Sequence, residues 1–324
     1  MIPDRPQPGR RWQGWADRHA GWIFAAPWLI GVVVLMLLSM AASVVLSMVE
    51  WDGVALSGMR WVGLEHYRHI LSLNPETADK DFRIALYNTL IYAVFAVPLG
   101  LAGSLALAML LDSTLRGIGL FRTVYYLPHV LGGVATILIW RWIFHPDFGL
   151  INAALRDAYD GIAAVGFAQA RTWPVPGWLY SPTWSKPALF LMSLWGAGGA
   201  MLVFLAALQN VPEHLYEAAR IDGAGRWRCF RHVTLPQISP ALFFNLVMGI
   251  IGTLQIFNQA YLLESGGQRK SLLFYVVYLY RRAFEHYEMG YASALAWVLF
   301  VIIMVLTAVV LLTGRYWVHY EGER

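Results

Sequence analysis

The chain has 324 residues, 58% of them hydrophobic and only 14% charged, against roughly 45–50% and about 25% in soluble domains, so the soluble two-domain protein suggested by length alone is excluded. A formal net charge of +4 does not mark a nucleic-acid partner, because the basic residues are scattered through short connections between apolar blocks, as in membrane flanks. The single cysteine, Cys229, excludes an intramolecular disulfide.

In chain order, residues 1–21 form a cytoplasmic N-terminal segment holding Arg5, Arg10, Arg11 and Arg18 ahead of an apolar run. That run exceeds the roughly 7–15 residues of a secretory signal's apolar region, so it is read as a retained first helix, and Arg10–Arg11 is not read as a twin-arginine signal. Residues 21–49 contain no Asp, Glu, Lys or Arg, and neither do 84–111, 187–211, 233–263 and 289–314. A shorter block, 123–140, carries only His129. The five longer blocks exceed the roughly 20 residues that cross a hydrocarbon core. None alternates polar and apolar residues as a barrel strand does, which predicts an all-α polytopic membrane protein with six transmembrane helices, each satisfying its own backbone hydrogen bonds.

Trp22, Trp28, Trp140, Trp142, Tyr316 and Trp317 stand where interface aromatics belong. Ser239–Pro240 supplies a cap and a first-turn proline for the fifth helix. Six crossings put both termini on one face, and the arginine-rich start assigns it to the cytoplasm. The transmembrane domain is thus 22–314 and the cytoplasmic tail 315–324, with outer loops at 50–83, 145–186 and 264–288. The first outer loop is expected to hold a short amphipathic surface helix near residues 61–67.

The connection between the fourth and fifth blocks, residues 212–236, carries most information. Pro212 suits a helix first turn, and Glu213 and Glu217 share a face near the positive end of the helix dipole. Asp222–Gly223 ends that helix, since glycine accepts a sharp reversal. A second short helix is predicted from Arg226 to Val233, stopped by Leu235–Pro236. Two short helices at an angle, tethered at both ends to membrane helices, can transmit force.

The spacing of Glu217-Ala218-Ala219, Gly223, Val233 and Leu235-Pro236 resembles the EAA loop of permeases from binding-protein-dependent ABC importers. Residues 121–128, 139–144, 146–149 and 290–294 are similar to the carbohydrate-type branch, the first permease of maltose, trehalose or glycerol-phosphate systems. The resemblance implies a type I permease fold translocating a sugar, such as the disaccharides trehalose or maltose, by alternating access across the plasma (inner) membrane. It implies that Glu213, Glu217, Ala218, Ala219 and Gly223 couple the chain to an ATPase. The implied partners are a second homologous permease, two ATPase subunits that bind ATP and Mg, and an extracytoplasmic sugar-binding protein. No cofactor and no catalysis are implied for this chain itself. Two departures, a longer loop at 151–186 and the missing proline after Gly266–Gly267, bear on substrate and binding-protein details.

Within the fifth block Asn245, Gln255, Asn258 and Gln259 are polar, and amides in lipid need partners. Gln255 and Gln259, one helical turn apart, are therefore candidate sugar ligands with Asn258, and Trp195 offers an aromatic face. The alternative is that these amides bond neighbouring helices. His66 and His69 lack a third ligand for a metal site, and residues 266–271 lack the glycine that a phosphate loop requires before its lysine. An ion-coupled transporter is disfavoured because the spans hold no ionisable group besides His129, although sodium sites use carbonyls and amides. An intramembrane enzyme would need a convergent catalytic set, and none is visible.

Overall fold

The computed structural model describes residues 10–54, 56–72, 74, 78–113, 116–131, 133–263 and 270–319. Arg5, the segment holding Gly266, Gly267, Gln268 and Arg269, and the end of the tail lie outside these described residues. Two compact units divide the chain, residues 1–71 with 282–297 and residues 72–281 with 298–324.

In the first unit α1 (Arg10–Gly31) continues through a π-helical turn at Val32–Leu37 into α2 (Leu38–Leu46). The apolar stretch His19–Leu46 is 28 residues long, and none of its most apolar window is buried. A surface of Val33, Leu35, Leu37 and Leu38 left open in this way suits lipid rather than water. The loop that follows departs from the expected surface helix. Strand β1 (Val49–Glu50) pairs antiparallel with β2 (Arg60–Trp61), Glu50 opposite Arg60, and helix α3 starts only at Glu65 and ends at Leu71. The aromatic and charged residues at 60–61 thus enter a short ladder, a small addition to an otherwise helical chain. Tyr67 donates its hydroxyl hydrogen bond to Ser47 Oγ at 2.7 Å and anchors α3.

The second unit opens with α4 (Lys80–Leu111), whose first turn is capped by Asp79 accepting from the Phe82 N–H at 3.0 Å. Helices α5 (Ile118–Val130) and α6 (Gly133–Ile143) form one pair bent by 97°. After α7 (Leu150–Ala164) come α8 (Ser185–Trp195) and α9 (Gly198–Gln209), bent by 46°. Next are α10 (Glu213–Ile221), α11 (Arg226–Cys229), a π turn at Phe230–Thr234, α12 (Leu235–Gln237) and α13 (Ser239–Leu254). The stretch Arg226–Gln237 meets α13 at 69°. Helices α14 (Asn258–Leu263), α15 (Tyr275–Tyr280) and α16 (Met289–Gly314) complete the order. The first residues of α16, 289–297, belong to the first unit. Three single helices and three bent pairs, each pair counted as one crossing, give six.

The centre of the second unit is the packing of α4 on α9 and α13. Leu105, Ala108, Met201, Phe204 and Ile238 are buried there. Between helices in lipid, close packing and hydrogen bonds carry the association. Ser104 Oγ donates to Ala197 O at 3.0 Å. At Gly198 and Gly199 the approach is so close that a Cβ would lie 2.5 Å from Tyr125 O and 2.7 Å from the His129 ring. Arg122 donates to Leu111 O at 2.9 Å, satisfying a carbonyl at the end of α4. Asn88 donates to the carbonyls of Lys270 and Leu273, both at 2.9 Å, and Thr89 accepts the Tyr275 N–H.

The loop 145–186 contains α7, and buried Asn152 organises it by donating to Pro146 O and Pro176 O while accepting from Trp178 Nε1 at 2.8 Å. Two expectations need correction. Ser239 does not cap α13 with its side chain; its hydroxyl donates to Pro236 O at 2.6 Å and accepts from the His319 N–H at 2.9 Å. Leu235–Pro236 does not stop the second short helix, because the preceding π turn shifts the bonding register, with the Leu235 N–H bonded to Phe230 O. The N–H that Pro236 lacks is absorbed at that shift.

Candidate functional site

Between the fourth and fifth crossings α10 and the following helix form a hairpin. Pro212 is the residue before the helix, with an extended backbone, and Glu213 is the first helical residue, so the proline sits one place earlier than expected. Glu213 in the first turn and Arg220 in the last complement the helix dipole. Glu213, Glu217 and Ala218 are exposed, whereas Leu215, Tyr216 and Ala219 are half-buried. Among the described residues neither glutamate forms an ion pair.

The helix ends at Gly223, whose φ is +75°. The Ala224 N–H bonds Ala219 O at 2.9 Å and the Gly223 N–H bonds Arg220 O at 3.0 Å, the paired closure of a Schellman turn. A Cβ at Gly223 would meet nothing within 4 Å, so what the position demands is the left-handed backbone rather than space. Tyr216 and Thr234 hydroxyls, 3.0 Å apart, tie the two arms.

Two residues of the hairpin were not singled out from sequence. Ile221 is 87% and Trp227 71% exposed, beside exposed Arg220, Arg226 and Arg228. Apolar side chains presented among guanidinium groups on a rigid turn are suited to docking on another protein. Their signal in the sequence was a large apolar residue at either side of a reversal, where no core pattern asks for one.

The second feature is a cavity of about 360 Å3 lined by Tyr92, Thr253, Gln255, Phe257, Asn258 and Gln259. From sequence the three amides are expected on one continuous helix. Instead α13 ends at Leu254, and α14 begins at Asn258. Thr253 Oγ1 donates back to Gly249 O at 2.7 Å, a bond that favours bending, and the chain breaks at residues 255–257. Gln255 and Gln259 share the cavity because of this break rather than because of helical spacing. Asn258 lies over α6, its Nδ2 3.9 Å from where a Cβ of Gly133 would stand. Phe257 stacks on Tyr261 at 5.2 Å, and both contact Tyr280.

The other candidates lie elsewhere. Asn245 is buried and donates to Ala241 O within its own helix at 2.9 Å, satisfying the amide locally rather than through a neighbour. Trp195, at the end of α8, does not line the cavity; it stands edge-on to Trp140 at 5.6 Å. Tyr92 and Phe257 are the aromatic walls that the sequence did not single out. His66 and His69 both lie edge-on to Tyr291. Lys270 of the phosphate-loop-like stretch pairs with Asp81 at 2.5 Å, and Ser271 meets Ser185 at 2.8 Å.

Six crossings, with a hairpin exposed between the fourth and fifth, define a transport permease. Residues 96–317 match the family described as binding-protein-dependent transport system inner membrane component. The chain belongs to this family: it is an inner-membrane permease subunit of an ABC transporter, non-catalytic, with ATP hydrolysis carried out by a partner ATPase. It is 38% identical over 310 residues to the probable ABC transporter permease YesP of Bacillus subtilis (strain 168), covering 95% of this chain and 94% of that one. It is 33% identical over 292 residues to the lactose transport permease LacF of Rhizobium radiobacter, covering 89% and 91%. The sulfoquinovosyl glycerol transport permease SmoG of Agrobacterium fabrum (strain C58 / ATCC 33970) is 30% identical over 303 residues, covering 93% and 92%. In fold, a chain from a bacterial ABC transporter that imports the acidic polysaccharide alginate matches with a TM-score of 0.74 at 22% identity, covering 95% of this chain and 99% of that one.

Proposed function

We propose that the chain forms half of the path by which a sugar is imported, holding it at the broken fifth crossing while the hairpin carries force from the ATPase. The observation that carries this reading is the break at residues 255–257, which gathers the amides of Gln255, Asn258 and Gln259 beside Tyr92 in an otherwise apolar helix. Irregular backbone at membrane depth is tolerated where it lines a path, and broken helices are a recurrent way of building such sites. Amides supply both donors and acceptors to hydroxyls.

Relatives named for lactose and for sulfoquinovosyl glycerol support a sugar while differing in which one. Glu213, Glu217, Ala218, Ala219 and Gly223 form the coupling surface together with Ile221 and Trp227, facing the cytoplasm. The working assembly contains a second permease, two ATPase subunits that bind ATP and Mg, and an extracytoplasmic binding protein. ATP closure moves the hairpin and exchanges inward-open for outward-open states.

The test is uptake by the reconstituted assembly, with copurifying subunits identified and solutes screened for ATPase stimulation. Gln255→Leu with Asn258→Leu is expected to raise the KM for sugar by about tenfold, roughly 1.4 kcal/mol, and to spare basal ATP hydrolysis. An unchanged KM removes the cavity from the path.

A further inference from the structure

A larger cavity, of about 530 Å3, lies wholly within the first unit, against β1, β2, α3 and the start of α16. Two ion pairs form part of its wall, Arg60 with Glu50 at 2.5 Å and Arg282 with Glu288 at 2.9 Å. The Arg282 guanidinium also lies 5.3 Å from the centre of the Tyr291 ring. Glu65 and His286 contribute further polar atoms.

The least expected lining residue is Tyr287, which has a φ of 59° and is 58% exposed. Holding a side-chain-bearing residue in the left-handed region is strained, and such strain concentrates at binding and catalytic sites. Hydrogen bonds just after it, Glu288 N–H to Arg282 O at 2.8 Å and Met289 N–H to Trp51 O at 3.0 Å, fix the backbone. Glycine would remove the strain, so what the tyrosine adds is its ring, presented to the cavity.

The lining selects the class of ligand. Both guanidinium groups are matched by carboxylates, which disfavours a strongly charged guest, yet paired carboxylates keep lone pairs for further donors. The cores of protein-docking surfaces are depleted in Asp and Glu, whereas this wall holds Glu50, Asp52, Glu65 and Glu288. The volume falls within the roughly 300–1,000 Å3 typical of small-molecule sites. An aromatic ring beside carboxylates and imidazoles fits a hydroxylated ring. We propose that this cavity is an outer subsite for a neutral saccharide, engaged before the sugar reaches the broken fifth crossing. It rests on the sugar-import reading, whose topology places the segments after the first crossing and before the sixth on the outer face.

The test uses the whole assembly in nanodiscs without the binding protein, with glucose, lactose and maltotriose as probes in saturation-transfer NMR. In a Gln255→Leu/Asn258→Leu background, which disables the central cavity, saccharide binding is expected to persist. Adding Tyr287→Gly, which relieves backbone strain and so spares folding, is expected to weaken it about fivefold, the size of one aromatic contact; Glu65→Gln should weaken it too. Half-saturation of ATPase stimulation by the binding protein should stay unchanged. Loss of all saccharide binding in that background, or binding indifferent to both outer substitutions, overturns the subsite. A shift in binding-protein half-saturation with unaltered saccharide binding also overturns it, assigning the cavity to a protein loop. Uptake by the wild-type assembly separates the two levels: uptake of none of the sugars defeats the import reading itself, whereas intact uptake with no outer signal defeats only the subsite.

Discussion

The hairpin at residues 212–237 and the cavity at residues 252–259 are separated by one helix and are built by opposite means. The hairpin closes on itself: its reversal is two backbone bonds within six residues, from Ala219 to Ala224, and one hydroxyl contact between its arms. The cavity borrows Tyr92 from α4 and sets Asn258 over α6, far apart in the chain. A local device depends on a single backbone conformation, so one substitution can disable it without disturbing the packed helices. A site assembled from several elements spreads its dependence and sits against the core.

The largest effect is therefore expected at the reversal. Gly223→Val should lower coupled uptake by about tenfold, with normal membrane insertion, since the left-handed region costs a residue with a Cβ roughly 1–2 kcal/mol. Gly223→Asn should retain more activity. Uptake measured beside membrane-inserted protein decides it, and normal transport by the valine variant would break the contrast.

Next is the exposed tryptophan. Trp227→Ala should weaken association with the ATPase by about tenfold, the scale of an interface anchor, as measured by titrating ATPase onto the purified permease. Undiminished association would move the docking surface elsewhere on the hairpin.

Tyr216→Phe removes one hydroxyl contact, worth about 1 kcal/mol. Hydrogen exchange at the Gly223 and Ala224 amides should accelerate by roughly fivefold while uptake falls only modestly. The smallest effect belongs to Trp195→Leu, which should leave the KM for sugar unchanged because the ring packs on Trp140 away from the cavity. A rise comparable to that of the double amide variant would extend the cavity to α8.

Legibility followed the same division. The Glu217-Ala218-Ala219 run and Gly223 were readable because a helix end and its glycine are determined within a few residues. Gln255, Asn258 and Gln259 were readable as polar residues in an apolar run, but their geometry was not: a continuous helix was the natural expectation, and no proline or glycine lies at 255–257 to announce a break. Trp195 stands against Trp140 rather than in the cavity, and the sequence does not announce this, because an aromatic residue in a membrane helix has many packing partners and spacing does not choose among them. Tyr287 left no trace, since left-handed backbone at a tyrosine depends on the bonds around it.

By itself the sequence determined the membrane class, the six crossings and the place of the hairpin. Each rests on hydropathy along a continuous stretch or on bonding between near neighbours. Tertiary structure alone decided the bends within crossings, the order within the loop 145–186, the meeting of Tyr92 with the amides, and the polar cavity around Tyr287. These depend on which distant surfaces come together, and in lipid that choice is made by close packing and hydrogen bonding between helices, which residue order does not spell out.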